Sequence, residues 1–215
     1  TSPVEPDTTL TAEASLRREL ETFHGKKDPE AIKTAWPHLS HTDRHLRWAA
    51  RIAIEHQPID WWHDKALAET DPARQIEALL ALSRAGGICP HHRVPARPLF
   101  ETGKRPVKAA ALPEGATPKP PADTALRDAI LEALIAIDFD ALSPDSKRAL
   151  VRTVQITLNR FDGADEAMTE KLIADLDPAF PAKSFSLNWL LCETLAYLQS
   201  PTVAAKGMAL LQDAP

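Results

Sequence analysis

Apolar residues recur at helical spacing along most of the chain, and this pattern constrains the fold more than any other feature. One apolar stripe runs from Leu46 to Ala53 at intervals of three and four residues, and another runs from Leu187 to Leu198. Residues three and four apart lie on the same face of an α-helix. No segment shows a convincing alternation of apolar and polar residues with a period of two, which would be typical of strands. The sequence therefore predicts an all-α protein.

Several of these helices share a start signal. Four dipeptides place a side-chain oxygen just before a proline: Asp28-Pro29, Asp71-Pro72, Ser143-Pro144 and Ser200-Pro201. Proline fits the first helical position because the N–H that it lacks would be unpaired there, and the preceding Asp or Ser can cap the free amides. Together with short glycine-containing segments that end helices, these start signals predict ten helices. The predicted ranges are 10–24, 29–38, 42–56, 59–69, 72–85, 123–138, 144–161, 165–176, 184–199 and 201–213.

Ten helices joined by short turns favour antiparallel hairpins stacked in a row, as in an α-solenoid. Each hairpin in such a stack buries its apolar face against its neighbours and leaves an extended concave surface. We expect residues 1–85 and 123–215 to form the two helical parts, stacked as one domain.

The stretch 86–122 interrupts the helical pattern. It holds eight of the 19 prolines and four of the seven glycines, with six Lys or Arg against two Glu, which gives it a charge of +4. Because the whole chain carries −5, the remainder carries −9. A structureless stretch of this length is uncommon inside a compact domain, so the alternatives are a linker and a surface loop. We expect a loop that packs along the helices through its apolar residues, Val94, Leu99, Phe100, Val107 and Leu112.

The overall charge and hydropathy exclude two classes of partner. A net charge of −5 argues against nucleic-acid binding through bulk charge. No apolar run approaches the roughly 18–20 residues that span a bilayer. The first residues, TSPVEPDTT, include neither an initiator Met nor a signal-peptide pattern. We therefore expect a processed protein or a piece of a longer one.

One segment resembles a known repeat family. HTDRHLRWAARIAIE is similar to the HEAT-repeat pattern, in which an Asp precedes an Arg and a helix of small residues; the matching positions are Asp43, Arg47, Ala50 and Ile54. More broadly, residues 41–86 and 123–215, the latter including LNWLLCETLAYLQSPTVAAKGMALL, resemble the helical module of large multidomain exported bacterial proteins. In those proteins a sugar-dehydrogenase-like β-propeller and a c-type cytochrome domain accompany the helical segment.

This resemblance implies a HEAT-like scaffold without catalytic residues. It would form an inter-domain or protein-interaction surface within a larger redox protein that is periplasmic or secreted. The chain contains no CxxCH haem-attachment motif, so we expect no cofactor here, and any haem would lie elsewhere in the parent protein. The partners would be other domains of the same polypeptide or a separate protein. The alternatives are an independent adaptor that binds a peptide or an acidic partner in its concave groove, and an enzyme built around the His-rich helix.

Three arginines fall within one arc of the predicted helix 42–56. Arg44, Arg47 and Arg51 lie on the side opposite the small residues Ala50 and Ala53, which we expect at a tight helix–helix contact. The arginines form either a solvated face that pairs with acids of the same chain or a site for an anionic partner. Glu55 stands four residues after Arg51, where an ion pair contributes a few tenths of a kcal/mol.

Aromatic and basic residues elsewhere complete the candidate interaction surface. Trp61 and Trp62 allow two interpretations. They form a stacking platform for a ligand, or they pack within the protein, with one ring in the core and the other between helices. The full set is Arg44, Arg47, Arg51, Trp61, Trp62, Arg97, Lys104 and Arg105.

Metal sites are weakly indicated. The histidines at 38, 41 and 45 have no complementary cysteine or carboxylate set, and Cys89 with His91 and His92 supplies too few fixed ligands. We expect no metal and no catalytic residue. A disulfide between Cys89 and Cys192 stays open, because sequence cannot establish its geometry.

Overall fold

The structure, a computed structural model, describes residues 11–88 and 121–212 and contains only helices and turns in these two ranges, which confirms the all-α prediction. The ten α-helices of the described residues are α1 (Ala12–Glu21), α2 (Glu30–Ala35), α3 (Arg44–Glu55), α4 (His63–Leu67), α5 (Pro72–Gly86), α6 (Thr124–Ile135), α7 (Pro144–Arg160), α8 (Glu166–Leu176), α9 (Phe185–Tyr197) and α10 (Val203–Gln212). Short 3-10 helices cover Trp36–Ser40, Ile59–Trp61 and Asp177–Ala179. The expected docking of 86–122 through Val94, Leu99, Phe100, Val107 and Leu112 lies outside the described residues, as does Cys89.

Two of the four proline start signals act as predicted, since α5 and α7 begin at Pro72 and Pro144. The side chains of Asp71 and Ser143 accept hydrogen bonds from the N–H three residues further on, at 2.8 and 3.1 Å. The Asp28 carboxylate accepts from Glu30 N at 3.1 Å, but Pro29 precedes the helix, because α2 begins only at Glu30. Ser200 differs, because α10 begins only at residue 203 and the Ser200 hydroxyl donates to Asp177 Oδ1 over 2.8 Å. The Ser200 oxygen also accepts from Thr202 N at 3.4 Å, one residue before α10 begins.

The chain divides into two compact units, residues 1–81 and 82–215. The boundary falls inside α5, four residues before the end of the predicted first part. The last turn of α5 belongs to the second unit because the Ser83 hydroxyl hydrogen-bonds Thr157 Oγ1 of α7 over 2.7 Å, in the interior. The HEAT-like stacking of hairpins stays a prediction.

Helix α3 forms the centre of the first unit and packs against α1 and α2. Ala50 and Ala53 are fully buried, as the small-residue pattern predicts. The buried Gln57 joins this helix to the turn after α1. Its Nε2 donates to the backbone oxygens of Lys26 and Ala53 at 3.0 and 2.9 Å, and its Oε1 accepts from Asp28 N at 2.7 Å. The bonds to Lys26 and Asp28 attach the segment before α2 to the end of α3.

Helix α7 holds the core of the second unit and packs against α6 and α9. Arg127 of α6 is buried, and its guanidinium donates to Gly163 O at 3.2 Å and to Asp165 Oδ2 at 3.4 Å. These acceptors and Asp128 Oδ1, 2.7 Å from Nε, satisfy a charge that would be costly to bury alone.

No helix within residues 11–88 and 121–212 is long and apolar enough to cross a membrane.

Candidate interaction surface

A groove on the first unit brings two tryptophans and two lysines together. It lies beside α2, the 3-10 helix after it and the start of α4, and has a volume of about 420 Å³. Seven residues line it: Pro29, Ile32, Lys33, Trp36, Pro37, Trp61 and Lys65. We call this surface the tryptophan groove.

Trp36 forms the fixed floor of the groove. Its side chain is buried, and its indole Nε1 donates to Glu69 Oε2 over 2.7 Å. Glu69 also accepts from the backbone N–H of Thr70 and Asp71, at 2.9 and 3.0 Å. Burial would raise the pKa of the Glu69 carboxyl, but the bonds from Asp71, Trp36 and Thr70 outweigh it, and the pKa lies below its usual value. Glu69 is therefore a charged acceptor that holds the indole in place.

Trp61 and Trp62 have opposite environments. Trp61 is 46% exposed and lines the groove, whereas Trp62 is 1% exposed. The Trp62 indole donates to Gln57 O at 3.4 Å inside the core. The expectation that Trp62 contributes to the interaction surface is wrong, because Trp62 packs inside the first unit.

Both charged residues of the groove lining are lysines. Lys65 Nζ lies 4.6 Å from the centroid of the Trp36 ring, within cation–π distance. Lys33 Nζ lies 3.4 Å from Glu30 Oε2, with both side chains largely exposed. An exposed pair of this kind contributes about 0–1 kcal/mol, so Lys33 can exchange it for another anion. The groove thus joins apolar surface to two ammonium groups.

The arginines of α3 separate into three environments. Arg44 is exposed and lies over the Trp48 ring, 5.6 Å from its centroid, and Trp48 is itself 49% exposed. Arg47 donates from Nη1 to His41 O at 2.6 Å and to Thr42 O at 3.0 Å, at the start of its own helix. This helix start is also capped by the Asp43 carboxylate, so the arc offers a poor site for an anion.

Arg51 is not part of an exposed surface, which corrects the prediction. Its side chain is 12% exposed, and Nη1 donates to Glu77 Oε2 of α5 over 3.1 Å. Its Nε lies 3.1 Å from Glu55 Oε1, within ion-pair distance but without hydrogen-bond geometry. The pair four residues apart is present as predicted. Pairing with Glu77 supports the reading of this face as one that binds acids of the same chain.

The remaining sequence candidates lie outside the described ranges or lack a site geometry. Arg97, Lys104 and Arg105 fall between residues 88 and 121, where nothing is described. Among residues 11–88 and 121–212, no group of three His, Cys, Asp or Glu side chains is arranged to hold a metal. The rings of His38 and His41 are 6.2 Å apart, and His41 Nδ1 accepts from Asp43 N at 3.0 Å.

The second unit exposes an apolar surface that sequence reasoning missed. Helix α10 has no buried residue. Five large apolar side chains of α9 and α10 are more than half exposed: Phe185, Trp189, Tyr197, Met208 and Leu211. The signal was present in α9, where Phe185 and Trp189 are four residues apart on the face opposite the buried Leu187 and Leu191.

A smaller pocket of about 360 Å³ in the second unit is acidic. Asp138, Asp140 and Asp175 line it together with apolar residues that include Ile135 and Phe139. Burial raises the pKa of the Asp175 carboxyl above its usual value. Asp138 Oδ1 accepts from Asp140 N at 3.1 Å and so also serves the turn after α6.

Comparison of the chain with models of protein families, with curated proteins and with solved structures returns no match.

Proposed function

We propose that this protein is a non-catalytic helical module that binds a protein partner through the tryptophan groove. One observation carries this proposal: Trp61 is held half exposed beside two lysines, over a floor that the Trp36–Glu69 hydrogen bond fixes. An exposed aromatic ring next to a rigid apolar floor is the arrangement that dominates binding energy in protein interfaces.

The chemistry of the groove favours binding over catalysis. Its lining contributes apolar faces and two ammonium groups. The carboxylate bonded to the groove floor, Glu69, is occupied by three donors, and its lowered pKa keeps it ionised near neutral pH. A general acid would need a pKa raised toward neutrality. Glu69 is therefore suited to positioning Trp36.

The resemblance to exported multidomain proteins supplies a setting for this role. In a periplasmic or secreted redox polypeptide, a HEAT-like module with an exposed aromatic groove would serve as a scaffold or an inter-domain surface. The same groove would serve an independent adaptor. In both settings the ligand is a protein segment.

Selection from a random peptide display library tests the proposal. The full chain is the bait, and a Trp61→Ala variant is used for counter-selection. Circular dichroism and thermal melting establish that the variant is folded. We expect enriched peptides that bind the wild-type chain and lose binding at least about tenfold with Trp61→Ala, as for a central aromatic contact. Trp48→Ala is the matched control, because Trp48 is equally exposed but lies outside the groove lining. The proposal would be refuted if no peptide were enriched, or if the enriched peptides bound Trp61→Ala as tightly as the wild type.

A further inference from the structure

We propose that the ligand of the tryptophan groove is an extended, proline-rich segment that carries acidic residues. This inference rests on the proposed function and adds the chemical class of the partner. It follows from the hydrogen-bonding capacity of the groove, from its shape and from its charge.

The lining of the groove offers few donors to a ligand. Trp36 already donates its indole N–H to Glu69. Pro29 and Pro37 have no backbone N–H. The remaining side-chain donors of the lining are the ammonium groups of Lys33 and Lys65 and the indole N–H of Trp61. A fitting ligand must therefore present apolar faces and a few exposed acceptors.

A polyproline II segment meets both requirements. It has no internal hydrogen bonds, so its backbone carbonyls can accept from lysine or indole donors. Its proline rings are rigid and apolar, and such segments dock in shallow grooves lined by aromatic side chains. The exposed Trp61 ring and the adjacent Pro29 and Pro37 supply such a surface. A helical ligand is less suitable, because its carbonyls are already occupied within the helix.

The charge of the lining selects for acidic residues in that segment. Both charged lining residues are cationic. Lys65 has no ion pair with a carboxylate of the described residues and lies over the Trp36 ring instead. Lys33 has one long, exposed contact to Glu30. Carboxylates of a ligand would gain a charge-assisted hydrogen bond at each lysine.

Fluorescence anisotropy with synthetic peptides tests this assignment on the full chain. The first labelled peptide has proline at every third position and glutamates between the prolines. The second replaces each glutamate with glutamine, and the third replaces each proline with alanine. We expect the acidic proline-rich peptide to bind most tightly. Both replacements should weaken binding, the glutamine peptide by about two- to fivefold for each lost lysine contact, and added salt should reduce the difference between the first two.

Lysine variants connect the effect to the groove. Lys65→Met keeps the aliphatic stem and should reduce the preference for glutamate over glutamine, with no loss of fold by circular dichroism. Lys27→Met is the matched control, since Lys27 is exposed in the same unit but does not line the groove. It should leave the preference unchanged.

The possible outcomes separate the two proposals. Three outcomes would overturn the ligand class. The glutamine peptide or the alanine peptide could bind as tightly as the acidic proline-rich peptide. Alternatively, Lys65→Met could leave the preference for glutamate over glutamine unchanged. The interaction module would still stand if library peptides of another composition depended on Trp61. A neutral oligosaccharide that displaced the peptides through Trp61 and bound more tightly would show that the ligand is a glycan, against both proposals.

Discussion

Lys206 donates two hydrogen bonds to Asp177, one to its carboxylate Oδ2 and one to its backbone oxygen, each 2.6 Å long. The hydroxyls of Thr202 and Ser200 donate to the other carboxylate oxygen. Asp177 therefore attaches α10 to the turn after α8. Because α10 has no buried residue, this polar attachment has a larger role than it would in a helix with a buried face.

The Asp177 attachment should be sensitive to acid. The hydrogen bond from Lys206 and those from the Thr202 and Ser200 hydroxyls lower the pKa of Asp177 from 3.8 to about 2. A carboxyl whose pKa is lower in the folded state stabilises that state above its unfolded pKa, and the stabilisation is lost as pH falls through the folded pKa. We expect the contribution to be complete above about pH 4 and to disappear toward pH 2.

Amide hydrogen exchange of α10 in Asp177→Asn measures this effect. Near neutral pH the variant should exchange faster than the wild type in α10, and the difference should vanish near pH 2. Glu170→Gln is the control, because Glu170 is an exposed acid on α8. Equal exchange of α10 in wild type and Asp177→Asn at neutral pH would contradict the prediction.

Ala53→Leu should destabilise the first unit. Ala53 is fully buried on α3, where a larger side chain would push against the neighbouring helices. We expect the free energy of unfolding to fall by about 1–3 kcal/mol, as for overpacked cores, measured by urea denaturation. Ala73→Leu, at an exposed position of α5, should change stability by less than about 0.5 kcal/mol. Similar free energies of unfolding for the two variants would show that the core around Ala53 accommodates a larger side chain.

Removal of the charge should lower stability at Arg51 and leave it almost unchanged at Arg44, although both residues lie on α3. Arg51→Met removes a largely buried cation that bonds Glu77. We expect a loss of about 1–3 kcal/mol, because the largely buried carboxylate loses its hydrogen-bonded partner and keeps only the longer contact to Arg47 Nε, at 3.6 Å. Arg44→Met should lie within about 0.5 kcal/mol of the wild type, since the side chain is exposed. Thermal melting of the two variants checks this, and a destabilised Arg44→Met with an unchanged Arg51→Met would reverse the assignment.

Two glycine substitutions should have opposite signs. A Cβ on Gly87 would lie 2.6 Å from Arg160 Cβ, 2.7 Å from Ser83 O and 2.9 Å from Phe161 Cε2. Gly87→Ala must displace backbone and should cost about 1–3 kcal/mol. A Cβ on Gly207 of α10 would meet nothing within 4 Å, so Gly207→Ala should stabilise the helix by about 0.5–1 kcal/mol. Chemical denaturation of both variants tests the pair, and a stabilising Gly87→Ala would show that the contact is loose.

Local features of this chain could be predicted from the sequence because their causes lie within one helical turn. Asp71 and Ser143 cap the helices that they precede, since the capping oxygen and the amide it binds are three residues apart. Apolar spacing likewise identified the all-α class and the burial of Ala50 and Ala53. Each of these features depends only on the residues of one helix and on the burial of its apolar face.

The candidate site depended on contacts between distant segments. Trp61 and Trp62 are adjacent and chemically identical, and only the packing of the first unit decides that Trp62 is buried. Arg51 is withdrawn from the surface by Glu77, 26 residues away, and the Ser200 hydroxyl donates to Asp177, 23 residues before it. Sequence determined which residues can form helices, caps and ion pairs. Tertiary structure alone decided which of them meet, because hydrogen bonds and apolar contacts act over a few ångströms in space and are independent of separation along the chain.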